Sequence, residues 1–124
     1  MLSTAHRVRS ATDFSHTVRS GTRSGCRNLV LYAVGTGAGM PSRFGFIVSK
    51  SVGNAVTRNL VKRRLREAAA SALLQRPVGV DVVVRALPPA ASAGWPELSS
   101  DFCRCLASSV KRFSKDGGRM GDGT

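Results

Sequence analysis

Acidic residues are scarce: seven Asp and Glu stand against 19 Lys and Arg in 124 residues, a formal net charge of +12 with a sequence pI near 11.4. A chain of that charge gathers on polyanions, because neutralising phosphates releases their condensed counterions. The few carboxylates are scattered, with no paired spacing suited to general acid/base work. His6 and His16 read as surface residues rather than bases, and H-E-x-x-H, G-x-x-x-x-G-K-[ST] and G-x-S-x-G are all missing. Composition and motifs therefore argue against a self-sufficient nuclease or hydrolase.

Cysteine is also scarce, three residues in all, an odd number that fits reduced thiols better than a disulfide framework. Cys103-x-Cys105 lacks the second ligand pair of a zinc site. The longest clean apolar run, Leu29 to Val34, is far short of the ~20 residues of a membrane span. The first twenty residues hold His6, Arg7, Arg9, Asp13 and Arg19 with no apolar segment of a secretory signal. The expected location is the cytoplasm, with no membrane partner. A lipid surface would also need bulky apolar side chains under the basic helix, where this chain has mainly Ala, Val and Leu. Nucleic acid remains as the polyanion.

What is present centres on residues 49 to 67. Ser51, Gly53 and Asn54 are turn and N-cap residues, and from about Val56 nothing breaks a helix until Pro77. At 100° per residue, Val61, Leu65, Ala68 and Ala72 share one arc of that helix, and Asn59, Lys62, Arg63 and Arg66 share another. The apolar arc must pack on a sheet. The cationic arc, with Arg58 in a first turn where the macrodipole disfavours it, suits a docked polyanion better than it suits the helix.

The rest of the chain supplies a single α+β domain. Residues 1–10 form a basic, extended arm, and 11–113 carry the core. A helix starts at Ala11 after Ser10 or Thr12 as cap, places Phe14 and Val18 on one face, and ends at Gly21 as a C′ residue. A polar strand in 22–28 and the apolar strand Leu29 to Val34 follow. A flexible hairpin loop with three glycines leads to a third strand, where Phe44, Phe46 and Val48 alternate with Gly45, Ile47 and Ser49. After the basic helix come the β-branched strand Val80 to Arg85, a Pro/Ala-rich linker over 87–94 without core signal, and a last helix opened by Pro96. That helix has Leu98, Phe102, Cys105, Leu106, Val110 and Phe113 at helical spacing. Residues 114–124, glycine-rich, read as a flexible tail. The order is α-β-β-β-α-β-α.

Gly53-Asn54-Ala55-Val56-x-Arg58-Asn59-x-x-Lys62-Arg63-x-x-Arg66-Glu67, preceded by Val48-Ser49-Lys50, resembles the signature of the bacterial ribonuclease P protein component. The likeness extends to Arg7-x-Arg9, Asp13-Phe14, Gly21, Leu31-Tyr32, Arg43-x-Gly45 and Asp81-x-Val83-Val84, about residues 6 to 113. It implies a left-handed βαβ crossover, where the general rule would draw a right-handed one. It further implies a monomeric subunit of a ribonucleoprotein whose catalytic RNA, with Mg²⁺ bound mainly by that RNA, removes the 5′ leader of precursor tRNA. By resemblance Ser49, Lys50, Asn54, Arg58, Asn59, Lys62, Arg63 and Arg66 face the catalytic RNA. Phe14, Val18 and Tyr32 line the cleft for the single-stranded leader, where aromatic faces stack unpaired bases.

The chain departs from the family pattern at several points. Val18 stands at a position often aromatic, Leu60 replaces a second Arg, Ser51 replaces a Lys, and Ile47 makes the open sheet face more apolar. Arg85-Ala86-Leu87 shifts the cation of that strand. The competing reading is a non-enzymatic ribosomal or ribosome-assembly RNA-binding protein, given the basic helix and the fold that the resembled family shares with a ribosomal-protein domain.

Overall fold

The computed structural model describes residues 7–8, 10–36, 41–75 and 79–121, from 112 onward by backbone alone. Helix α1, Ala11–Ser20, begins where the Ser10 hydroxyl accepts the Asp13 N–H at 3.0 Å. Strands β1 (Thr22–Gly25), β2 (Leu29–Gly35) and β3 (Arg43–Ile47) precede helix α2, Ala55–Gln75. Strand β4 (Val80–Ala86), a 3₁₀ turn (Pro88–Ala91) and helix α3 (Trp95–Gly121) complete the order.

The sheet is ordered β1-β2-β4-β3. Strands β2 and β4 pair antiparallel over their full lengths, and β3 pairs with β4 in parallel, with α2 as the crossover. Because β4 is inserted between β2 and β3, the connection read from sequence as a hairpin loop joins strands that are not neighbours. Local turn chemistry cannot reveal a strand added from 40 residues downstream. Residues 37–40 of that connection lie outside the described residues.

Alternation within the strands assigns each residue a face. Leu29, Leu31 and Ala33 of β2, Phe44 and Phe46 of β3, and Val82, Val84 and Ala86 of β4 turn to one side. There they meet Val61, Leu65, Ala68 and Ala69 of α2 and Leu98, Phe102, Cys105, Leu106 and Val110 of α3. The apolar arc of α2 is thus core, as its spacing predicts. Phe44 and Phe102 lie 6.2 Å apart, centroid to centroid, within the range of favourable aromatic pairs. The opposite face receives α1.

Four local expectations are corrected. Gly21 ends α1 as expected, but as the capping residue itself rather than one position beyond it, with an extended backbone, φ −77°, and its N–H donating to the Thr17 carbonyl. Glycine is needed there because a Cβ would collide with the Thr17 carbonyl oxygen and stand 3.0 Å from that of Ala33. The 87–94 segment is not coreless, since Ala90 and Ala93 are buried and the Arg64 guanidinium donates to the Ala93 carbonyl at 2.9 Å. Helix α3 is described to Gly121, so positions 114–121, expected as tail, continue the helix backbone. Finally, Cys26 and Cys105, 79 positions apart, form a disulfide, and among the cysteines Cys103 alone is free. The turn after β1 packs against α3, and only that packing brings the two sulfurs together.

The basic arm is partly in view. Val8 is buried and its N–H donates to the Phe44 carbonyl at 3.1 Å, so residues 7–8 extend along β3. Residues 1–6 and 9 lie outside the described residues. No helix among the described residues is long and apolar enough to cross a membrane.

Candidate nucleic-acid interface

The loop before α2 is built to present its side chains. Val52 is buried and pins the loop, and its N–H donates to the Ser49 carbonyl at 3.1 Å. Ser49 and Ser51 hydrogen-bond through their hydroxyls at 2.8 Å, and Lys50 is exposed between them. The Asn54 side-chain oxygen accepts the Thr57 N–H at 2.9 Å, an N-cap that satisfies one of the amides left open at a helix start. Part of the Asn54 side chain is therefore committed to the helix.

Arg58 is likewise committed, since its Nε donates to the Gly53 carbonyl at 3.1 Å and ties the helix back to the loop. Asn59 and Arg63 are exposed, and Lys62 and Arg66 half-buried. Each of the ion pairs among the described residues involves Arg43 or Arg104, so none neutralises the cationic arc of α2. The Arg66 Nε is buried without a hydrogen-bond partner. Lys62 and Arg66 border an open groove of about 250 Å³ at the edge of β3, lined also by Arg7, Val8, Phe14 and Phe46. The cationic arc thereby runs around the sheet edge to the first helix.

On the far face of the sheet, cross-strand partners form three rows. Val34, Asp81 and Arg43 make the first; Arg23, Tyr32, Val83 and Gly45 the second; Gly25, Val30, Arg85 and Ile47 the third. The Phe14 ring lies on Gly45 so closely that a Cβ there would stand 2.6 Å from its tip. One turn along α1, Val18 joins Phe14, Ser15, Arg19, Ile47 and Arg85 around an open cleft of about 280 Å³. Phe14 and Val18 thus meet as expected, whereas Tyr32 sits half-buried in the middle row beside Val83, bordering rather than lining that cleft.

Arg85 and Arg19 were missing from the expected cleft. Arg85 was legible, because Asp81, Val83 and Arg85 share one face of β4 by alternation alone; Arg19 needed the seating of α1. The displaced cation of this strand, exposed and at the cleft wall, points into the same groove. The cleft therefore offers apolar side chains, Phe14, Val18 and Ile47, with the two arginines Arg19 and Arg85 at its rim.

Asp13 and Asp81 hold Arg43 by hydrogen bonds of 2.6 to 3.1 Å, and the Asp81 bond in particular pushes the guanidinium pKa further above its ordinary value. Among the described residues no group of three or more His, Cys, Asp or Glu could hold a metal ion.

Comparison with known proteins identifies the family and the fold. The Ribonuclease P family model matches residues 2–110. The ribonuclease P protein component of Arthrobacter sp. strain FB24 is 59% identical over 120 residues, 97% of this chain and 86% of that protein. That of Kocuria rhizophila is 58% identical over 112 residues, 90% of this chain and 98% of its own. Among solved structures, the Staphylococcus aureus RNase P protein superposes with a TM-score of 0.72 at 28% identity, over 83% of this chain and 94% of that one. The Thermotoga maritima protein does so with 0.69 at 24%, over 80% and 93%, a likeness of fold.

Proposed function

The chain belongs to the bacterial ribonuclease P protein family, the protein part of an endoribonuclease that acts in tRNA processing and associates with its RNA, and on that premise we propose how its two surfaces divide the work. The α2 arc with Asn59, Lys62, Arg63 and Arg66, together with Ser49 and Lys50, docks the catalytic RNA. The cleft of Phe14, Val18, Ile47, Arg19 and Arg85, with Tyr32 beside it, receives the 5′ leader of precursor tRNA. The subunit works as a cytoplasmic monomer, and Mg²⁺ is held mainly by the RNA, which supplies the metal-assisted hydrolysis of the phosphodiester.

The observation that carries this reading is the groove at the β3 edge, where Lys62 and Arg66 of α2 meet Phe14 of α1. Cations there track phosphates, while an aromatic face stacks bases without strong sequence preference. Leader emerging from the cleft would thus pass directly to the face on which the RNA is docked. In this reading the protein's residues bind and orient, and the chemistry at the scissile bond falls to the RNA.

The test is reconstitution of purified protein with the cognate RNA, precursor tRNA and Mg²⁺ at physiological salt, scored for 5′ cleavage. Cleavage is expected with both components and none with protein alone. Cleavage by protein alone would overturn the reading.

A further inference from the structure

Arg43 makes three side-chain hydrogen bonds to two carboxylates, and it belongs to neither surface just described. Its Nε and Nη2 grip the two oxygens of Asp81 at 3.0 and 2.6 Å, and its Nη1 reaches Asp13 of α1 at 3.1 Å. Asp81 is almost fully buried, at 4% exposure, on the central strand β4. The planar fork therefore has one end fixed in the sheet and one free to hold the helix, a geometry an ammonium cannot reproduce.

The tie is placed where it governs the cleft. Asp13 is next to Phe14 on α1, and Arg43 is two residues from Gly45 on the same face of β3, so the ion pair and the Phe14 ring on Gly45 are adjacent anchors. The cleft opens one helical turn further on, between Val18 and the row of Ile47 and Arg85. A ten-residue helix on a half-open face has little apolar area of its own to fix its angle.

We propose that Arg43 is a positioning residue for the leader cleft: by bridging Asp81 in the sheet to Asp13 on α1, it sets how α1 lies over the sheet and hence the width of the groove. The proposal rests on the leader-binding reading above. Arg43 touches no substrate in this scheme; it acts through the seating of Phe14 and Val18.

Asp13→Asn is the informative variant. Asp13 is partly exposed, its role as partner of the Ser10 cap uses only its backbone N–H, and Arg43 keeps its grip on Asp81. Reconstituted holoenzyme is assayed for equilibrium binding of a long-leader precursor and of one with a single-nucleotide leader, beside binding of the protein to the catalytic RNA. For Asp13→Asn the long-leader affinity is expected to fall about fivefold, the scale of a partly exposed ion pair, with the other two affinities unchanged. Arg43→Lys should lose at least as much, and Asp13→Glu, which keeps a carboxylate in reach, should recover most of the loss.

Long-leader affinity in Asp13→Asn equal to wild type would overturn the clamp, as would equal losses for both precursors, which would make the tie merely structural. If the wild-type holoenzyme itself does not distinguish the two precursors, the leader reading falls and the clamp with it. A wild type that discriminates beside an Asp13→Asn protein that discriminates equally removes the clamp alone.

Discussion

The two faces of the sheet are made from alternate residues of the same strands, yet they are built to opposite standards. On the face under α2 and α3, Leu29, Leu31, Ala33, Phe44, Val82 and Val84 are all buried to within 1%. Burial of such surface is worth about 25 cal/mol per Å², and this side carries the stability. On the other face, among the described residues, α1 and Val8 of the N-terminal segment lie on the strands, and Arg43, Tyr32, Ile47 and Arg85 remain partly or fully exposed. A face that is less completely buried can hold charges and an aromatic ring at fixed positions. The same division runs around α2, whose apolar arc is core while its cationic arc has no acidic partner among the described residues.

The sharpest break in that comparison is Phe102→Ala, on the dry face. Loss of a fully buried ring that packs on Phe44 should cost about 3 to 5 kcal/mol in urea unfolding, while RNA and precursor binding below the transition stay near wild type. Gly45→Ala tests the seam, since the added methyl meets the Phe14 ring. A loss of about 1 to 3 kcal/mol in thermal or urea unfolding is expected, accompanied by weaker binding of leader-bearing precursor than of mature tRNA. If leader binding is untouched, the Phe14 seat does not shape the cleft.

Tyr32→Ala probes the wet face directly. One lost stacked base weakens leader-bearing precursor by roughly 1 to 3 kcal/mol and leaves mature tRNA unaffected, whereas equal losses in a filter-binding comparison would assign Tyr32 to packing. The smallest effect on stability belongs to Arg63→Ala, within about 0.5 kcal/mol for an exposed residue away from any cap or core contact. Its signature is electrostatic: the log–log salt dependence of RNA binding should flatten by about one unit. An unchanged slope would take Arg63 off the contact surface and leave the cationic arc a solvated one.

Much of this division is visible in the chain. The 3.6-residue spacing of Val61, Leu65, Ala68 and Ala72 marks the buried arc of α2, and two-residue alternation separates Phe44 and Phe46 from Gly45 and Ile47. Asn54 as cap and Ser10 as cap follow from residue chemistry at fixed offsets. The cleft was less legible. Arg19 reaches it only once α1 is laid on the sheet, and Arg58, expected from its first-turn place and from the family resemblance to face RNA, turns its Nε back to the Gly53 carbonyl. Arg64, unremarked among the basic residues, is tied to Ala93 on the 87–94 segment. The Pro/Ala composition of that segment conceals its buried alanines, because small residues give no amphipathic signal.

By itself the sequence determined the elements, the apolar arc of the central helix, the excess of positive charge and the family, because periodicity, capping and signature spacing are local properties. Tertiary structure alone decided that β4 lies between β2 and β3, that Cys26 meets Cys105, and that Asp13, Arg43 and Asp81 converge. Each of these joins residues tens of positions apart, and the energy that selects such pairings is the burial of whole surfaces, which no short stretch of chain encodes.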